Sequence, residues 1–239
     1  MQIFTMEILQ HIVQQTNLYA TQSKQKRRSG SIVNETTKHW EDLCVEELQA
    51  WIGMNILIAI IVLPKVEHYW SSDPALSQRI ISQVMTCKRF KKITETIHLN
   101  DNETNNPRDH PNYDKIHKVR PLITYLNNTI DKAYKACSVL AVDESMIPFK
   151  GRSSLKQYMP MKPVKRGYKV WCLADSKIGY VMKFDIYTGK SNDQPGLDTL
   201  GERVVLGLTR ALQGTGKVVA VDNFFNTVKR MKRLRNDNI

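Results

Sequence analysis

At 239 residues, with 41% of them hydrophobic, the chain has enough apolar surface for one large or two ordinary domains, which excludes a disordered polymer. Thirty-five Lys and Arg against 23 Asp and Glu leave a net charge of +12 and a pI near 9.5, a balance that points first to polyanions such as nucleic acid. The four cysteines, Cys44, Cys87, Cys137 and Cys172, contain no CxxC pair, which excludes a zinc ribbon and a small disulfide framework.

The amino terminus, MQIFTMEILQHIVQQ, lacks the basic, apolar and small-residue regions of a secretory signal. Ile8, Leu9, Ile12 and Val13 instead mark one face of a helix that begins near Phe4 and is expected to run out near Tyr19. Thr21 to Ser31 then reads as a solvated, flexible segment. Four of its five residues from Lys24 to Arg28 are basic, which suits an exposed loop, a phosphate contact or an import signal. The longest apolar stretch, Ala50 to Leu63, stops at Pro64, short of the roughly 20 residues a membrane span requires, so a buried helix and no membrane partner are expected.

Helical signals continue from Ser72 through DPALSQRIISQVM and TCKRFKKITETIHL, where Lys88, Arg89, Lys91 and Lys92 crowd one short piece. Asn100 to Asp114 is polar and aperiodic, a loop. His98, His110 and His117 lie near it without a partner at ligand spacing, and no histidine metal site is expected. From Lys115 to Ala136, Ile116, Val119, Leu122, Ile123, Leu126, Ile130 and Ala133 return to helical spacing, with Pro121 marking a start or a kink. Residues 1–136 therefore read as a mostly helical region.

The period then changes. Ser138 to Val142 is a short apolar strand that delivers Asp143 to its carboxyl end. YKVWCLADS and YVMKFDIYTG follow as an antiparallel hairpin turning at Lys177 to Gly179. Leu197, Leu200, Val204, Leu208 and Leu212 define a helix that ends at Gly214. A further strand, KVVAVD, ends on Asp222. The last helix is expected to bury Phe224, Val228, Met231 and Leu234 beneath a basic outer face. Three meandering strands, a crossover helix and a further strand predict an α/β class: a helical region followed by an incomplete ribonuclease H-like mixed sheet with packed helices.

In that order the strands bearing Asp143 and Asp222 are neighbours. Two carboxylates suit a hard, oxygen-seeking cation, Mg²⁺ or Mn²⁺, which points to phosphodiester chemistry. An aspartate after a strand also serves as a turn residue or helix cap. Between the first two strands, Lys150, Arg152, Lys156, Lys162, Lys165, Arg166 and Lys169 give seven cations and no acid. A solvated face mixes signs, so this run is expected to follow a phosphate backbone.

The block VDESMIPFKGRSSLKQYMPMKPVKRGYKVWCLAD, with GY, FDIYTGK and VDNFFNT after it and TNLYATQ, YWSSDP, MTCKRFKKITETIHLND and DKIHKVRPLITYL before it, resembles the piggyBac family of cut-and-paste DNA transposases and their domesticated relatives. The resemblance covers nearly the whole chain. It implies a nuclear DDE/D transposase that nicks transposon ends with water, excises through a hairpin and inserts the freed 3′-hydroxyl at TTAA. It further implies a helical dimerisation and DNA-binding region over 1–136, the first part of the catalytic domain over 137–239, a homodimer, and Asp143 and Asp222 as catalytic metal ligands. Glu144 alternates to the opposite side of the strand and reads as structural.

The family pattern also has a third catalytic aspartate, further strands and helices, and a cysteine-rich zinc module, all beyond Ile239, and an acidic region before Met1. The expectation is therefore a transposase region truncated before its third acid, active in a full-length parent and inactive alone. The alternative is a decayed or domesticated DNA-binding remnant. An unfinished sheet is expected to expose an edge and an apolar patch.

Overall fold

The computed structural model describes residues 3–28, 39–189, 200–225 and 227–239, and the chain divides into two compact units, Ile3–Leu122 and Ile123–Ile239. In the first unit, helix α1 spans Met6–Arg28, well beyond Tyr19. Its buried stripe continues from Ile8, Leu9 and Ile12 through Thr16, Ala20 and Ser23, small residues that carry little hydropathy but leave room for close packing. Thr16 Oγ1 donates to the Ile12 carbonyl at 2.7 Å, so the buried hydroxyl is satisfied within the helix. Lys24 to Arg28 thus belong to the last turns of α1 and are not a flexible loop. Ser29 to Ser31 lie outside the described residues.

Helix α2, Val45–Ile60, is not a buried helix: Leu48 and Met54 are buried, whereas Ile56 and Ile60 are exposed, as is Val62 just beyond its end. Apolar residues around the whole circumference gave no periodicity from which to choose the buried face. The helical signal after Ser72 is realised as an Asp73-capped turn and one helical turn, α3, Arg79–Ser82. Helix α4, Cys87–Thr96, starts at Thr86, whose hydroxyl accepts the Arg89 N–H, and buries Phe90, Ile93 and Thr96. Its cations are largely absorbed within the unit: Arg89 forks onto Glu47 at 2.6 and 2.5 Å, Lys91 meets Glu67, and Lys92 reaches the His39 carbonyl. His98 stacks on Tyr19 at 3.5 Å, and His117 bonds the Asp101 carbonyl at 2.8 Å.

Helix α5, Arg120–Ala133, begins with Pro121 in its first turn. Its later part belongs with the second unit. Asn127 exchanges two hydrogen bonds with the Phe184 backbone, at 2.8 and 2.9 Å, and the Tyr180 hydroxyl donates to the Ile130 carbonyl at 3.0 Å. Division of the units at Leu122 and the change of period at Ala136 are therefore separate features, because α5 is helical yet tied to strands.

The sheet of the second unit contains β1 (Val139–Pro148), β2 (Gln157–Tyr158), β3 (Arg166–Asp175), β4 (Val181–Ile186) and β5 (Val218–Val221). The path runs β2, β3, β1, β5, with β4 also on β3. Strands β1, β3 and β4 form an antiparallel meander, and β5 returns parallel to β1 after the crossover through α6, Leu200–Thr209. This is the ribonuclease H strand order expected from the sequence. Helix α6 gives way to a 3₁₀ turn at Arg210–Leu212, and Gly214 takes φ +76 beyond it; Leu197 lies outside the described residues. Gly167 is required where β3 passes β1: a Cβ there would stand 1.9 Å from the Ile147 carbonyl oxygen.

Leu140 and Val142 of β1, Trp171 and Leu173 of β3, Val205 and Leu208 of α6, Phe225, and Leu234 of α7 (Val228–Asn236) form the core on one face. Met231 is exposed and Phe225 is buried, because a 3₁₀ turn at Asn223–Phe225 breaks the helical period before α7 begins. The side chains of Phe224 and Val228 lie outside the described residues. On the other face Val139, Ile147 and Val218 are exposed, and β5 ends the path of the sheet among the described residues. No helix of the described residues is long and apolar enough to cross a membrane.

Asp175 closes the β3–β4 turn. Its buried carboxylate accepts from the N–H groups of Cys137 (2.8 Å), Lys177 (2.8 Å) and Ile178 (3.3 Å) and from the Tyr134 hydroxyl (3.2 Å). The Cys137 N–H leads these donors in holding the acid far below the ordinary carboxylate range. A lowered folded-state pKa stabilises above the unfolded value of about 3.9 and loses that contribution as pH falls below it. Denaturant titration of wild type and Asp175→Asn is expected to show the largest wild-type advantage at neutral pH. That advantage should shrink steadily from about pH 5 downward.

Candidate functional site

Strand β1 is ten residues long, so Asp143 lies in its middle and not at its carboxyl end. What ends at Asp143 is the parallel pairing: Val139 to Val142 register with Val218 to Val221, and the next residues are Asp143 and Asp222. Parallel neighbours lie ~4.8 Å apart, so the two acids leave adjacent strands side by side. Alternation places Leu140 and Val142 in the core and Asp143 on the opposite face, where it is exposed. Asp222 is exposed as well.

Each carboxylate is steadied by the backbone that follows it. Asp143 Oδ1 accepts the Glu144 N–H at 2.7 Å, and Asp222 Oδ1 accepts the Asn223 N–H at 2.6 Å. Asp222 also opens the Asn223–Phe225 turn, with its carbonyl accepting the Phe225 N–H at 2.9 Å. Asp222 thus takes part in the turn while its side chain stays exposed.

Glu144 faces Trp171 in register, on the other side of β1 from Asp143, and pairs with Lys162 Nζ at 3.1 Å. Glu144 is the chief cause of the raised Lys162 pKa, and the charges of Asp143 and Asp222 push in the same direction. One lysine from the basic run therefore feels all three acids.

The other cations of that run divide by attachment. Lys156 donates to the Gly151 carbonyl at 2.7 Å, and the Arg166 guanidinium sits 5.0 Å from the Tyr158 ring centre. Lys169 lies on β3, with its ammonium 3.9 Å from the Trp171 ring centre and its pKa lowered chiefly by burial. Lys150, Arg152, Lys165 and Arg166 are exposed. The segment is thus a loop folded against itself through β2, with its last two cations already on β3.

The family described as Transposase IS4 matches residues 1–239. The chain belongs to this family of piggyBac-type transposases. It is 29% identical over 233 residues to PiggyBac transposable element-derived protein 3 of Homo sapiens, covering 95% of this chain and 36% of that protein. It is 31% identical over 215 residues to PiggyBac transposable element-derived protein 2 of Homo sapiens, covering 85% of this chain and 35% of that protein. A cryo-EM structure of a piggyBac transposase synaptic complex with hairpin DNA superposes with a TM-score of 0.79 at 27% identity, covering 98% of this chain and 46% of that one. The chain thus spans about a third of the length of these curated relatives.

DDE transposases are generally metal-dependent. Among the described residues no group of three His, Cys, Asp or Glu side chains is gathered for a metal. Two adjacent, exposed carboxylates still match a cation such as Mg²⁺, which takes one or two carboxylates and completes its shell with water and phosphate oxygens. The donor chemistry of these two carboxylates therefore fits such a cation.

Cys172 was not singled out by its sequence, yet it registers directly opposite Asp143 on the same face. Its thiol is pushed up to about 11, by burial first and by the Asp143 charge second. Alkylation with iodoacetamide at pH 8, read by mass spectrometry, is expected to label exposed Cys44 well before Cys172. Asp143→Asn should speed Cys172 labelling by removing the neighbouring charge, and an unchanged rate would contradict this pairing.

Proposed function

We propose that this chain carries two of the metal-binding acids of a DDE/D transposase site, Asp143 and Asp222, beside a cationic DNA track. In a full-length parent it would serve metal-dependent DNA strand cleavage and strand transfer, the cut-and-paste reaction at TTAA. The observation that carries the proposal is the side-by-side exit of Asp143 and Asp222 from paired parallel strands, within the electrostatic reach of Lys162. A divalent cation bound there would polarise a phosphodiester for in-line displacement. The residues divide the remaining tasks. Asp143 and Asp222 hold the cation, Glu144 restrains Lys162 beside them, and Lys150, Arg152, Lys165 and Arg166 offer exposed charge to phosphates. Lys156 and Lys169 shape the track more than they extend it, being held by Gly151 and Trp171. Nuclear action, a homodimer, and the division of labour between a helical DNA-binding region and a catalytic region rest on the family likeness alone.

A second reading is a transposase-derived protein that binds DNA without its own catalysis. It is favoured by the relatives named as transposable element-derived proteins. Both readings require DNA binding. Duplex affinity of the 239-residue chain should fall steeply between low and moderate salt, and Lys150→Ala and Lys165→Ala should each lower the log–log salt slope by about 1. A flat salt response would contradict the DNA track. The chain alone is expected not to join strands with Mg²⁺, and joining that is lost on Asp143→Ala would overturn that expectation and exclude the second reading.

A further inference from the structure

Residues 159–165 form the tip of a hairpin between β2 and β3, whose paired ends are Tyr158 with Arg166 and Gln157 with Gly167. The tip is closed by the Met159 N–H on the Lys165 carbonyl at 2.8 Å and the Lys162 N–H on the Met159 carbonyl at 3.2 Å. Pro160 and Pro163 fix two of its backbone torsions, and Lys162 ties it to Glu144 at 3.1 Å. Such a tip ordinarily carries Gly, Asn, Asp or Ser. Here it carries Met161, which is 94% exposed, above every other large apolar side chain described.

An exposed Met by itself is unremarkable on a protein surface. Three features set Met161 apart. Its support is held from both sides, so little chain entropy is lost when it is presented to a partner. It lies in a stretch of seven cations and no acid, which repels a basic surface and attracts a polyanion. Its immediate neighbour, Lys162, pairs at 3.1 Å with Glu144, the residue that follows Asp143 on β1, so the tip is tied to the strand that carries that acid.

We propose that Met161 is an apolar wedge that enters between stacked bases of duplex DNA beside the phosphodiester brought to Asp143 and Asp222. Apolar side chains flanked by cations unstack a base step, and backbone contacts to the bent duplex offset the cost. The wedge gives Pro160-Met161-Lys162-Pro163 a task that charge alone leaves unexplained. It opens the helix locally while Lys150, Arg152 and Lys165 grip phosphates. The inference rests on the DNA-binding reading above.

The test uses the 239-residue chain and short duplexes carrying 2-aminopurine at successive positions, with binding followed by anisotropy on the same samples. Wild type should bind and raise 2-aminopurine fluorescence several-fold at one or two adjacent positions. Met161→Ala should bind with the same salt slope, since every cation remains, but lose the rise; Met161→Leu should keep it. Because Met161 is almost wholly exposed, both variants are expected to keep the wild-type unfolding midpoint. Binding without a fluorescence rise, or a rise that survives Met161→Ala, overturns the wedge and leaves the DNA track standing. Absence of binding by wild type overturns both.

Discussion

The candidate site depends on four parallel residue pairs, Val139 to Val142 on β1 with Val218 to Val221 on β5. Their β-branched side chains favour extended backbone, and the alternation buries Leu140 and Val142 while turning Asp143 outward. Because side chains alternate with a period of two, a one-residue slip of either strand would send its core residues to solvent. Burial of Leu140 and Val142 against Trp171, Leu173 and Val205 therefore fixes the register. The register in turn fixes the acids. Two residues far apart in the chain become neighbours through a constraint that is hydrophobic in origin.

Placing acids together brings repulsion, and the fold answers it with a lysine. Lys162 pairs with Glu144 and feels Asp143 and Asp222, so a cation is held at the strand that carries the first acid. The pair is partly exposed, and its direct contribution to stability is small, ~0.2–1 kcal/mol. Its structural consequence is larger, because Lys162 belongs to the loop that carries the exposed cations and Met161. Acid pair, basic loop and hairpin tip are thereby linked through one side chain. The Transposase IS4 match places this arrangement within a transposase family.

Much of the sheet was legible in the sequence because its strands are β-branched and aromatic runs separated by turn residues. Strand order, the hairpin at Lys177 to Gly179 and the return of the strand bearing Asp222 all follow from that pattern. The extension of β1 to Pro148 was hidden, since Ser145 and Pro148 interrupt its apolar alternation while β3 still pairs along it. The length of α1 was hidden by Thr16, Ala20 and Ser23, buried for fit and not for hydropathy. The exposure of Ile56 and Ile60 on α2 was hidden by uniform apolarity. The repeated AVD motif was enough to place Asp143 and Asp222 after neighbouring strands. The Glu144–Lys162 pair and Cys172 beside Asp143 depend on long-range register, which no local pattern records.

The proposed function requires that Asp143 and Asp222 hold one cation together. Titration of Mn²⁺ followed by electron paramagnetic resonance tests it directly, using wild type, Asp143→Asn, Asp222→Asn and the double variant. Shared ligation predicts that either single substitution removes nearly all the affinity that the double removes, with a coupling of ~0.5–3 kcal/mol between the two positions. Independent, additive losses, or single variants that bind Mn²⁺ as wild type does, would contradict it.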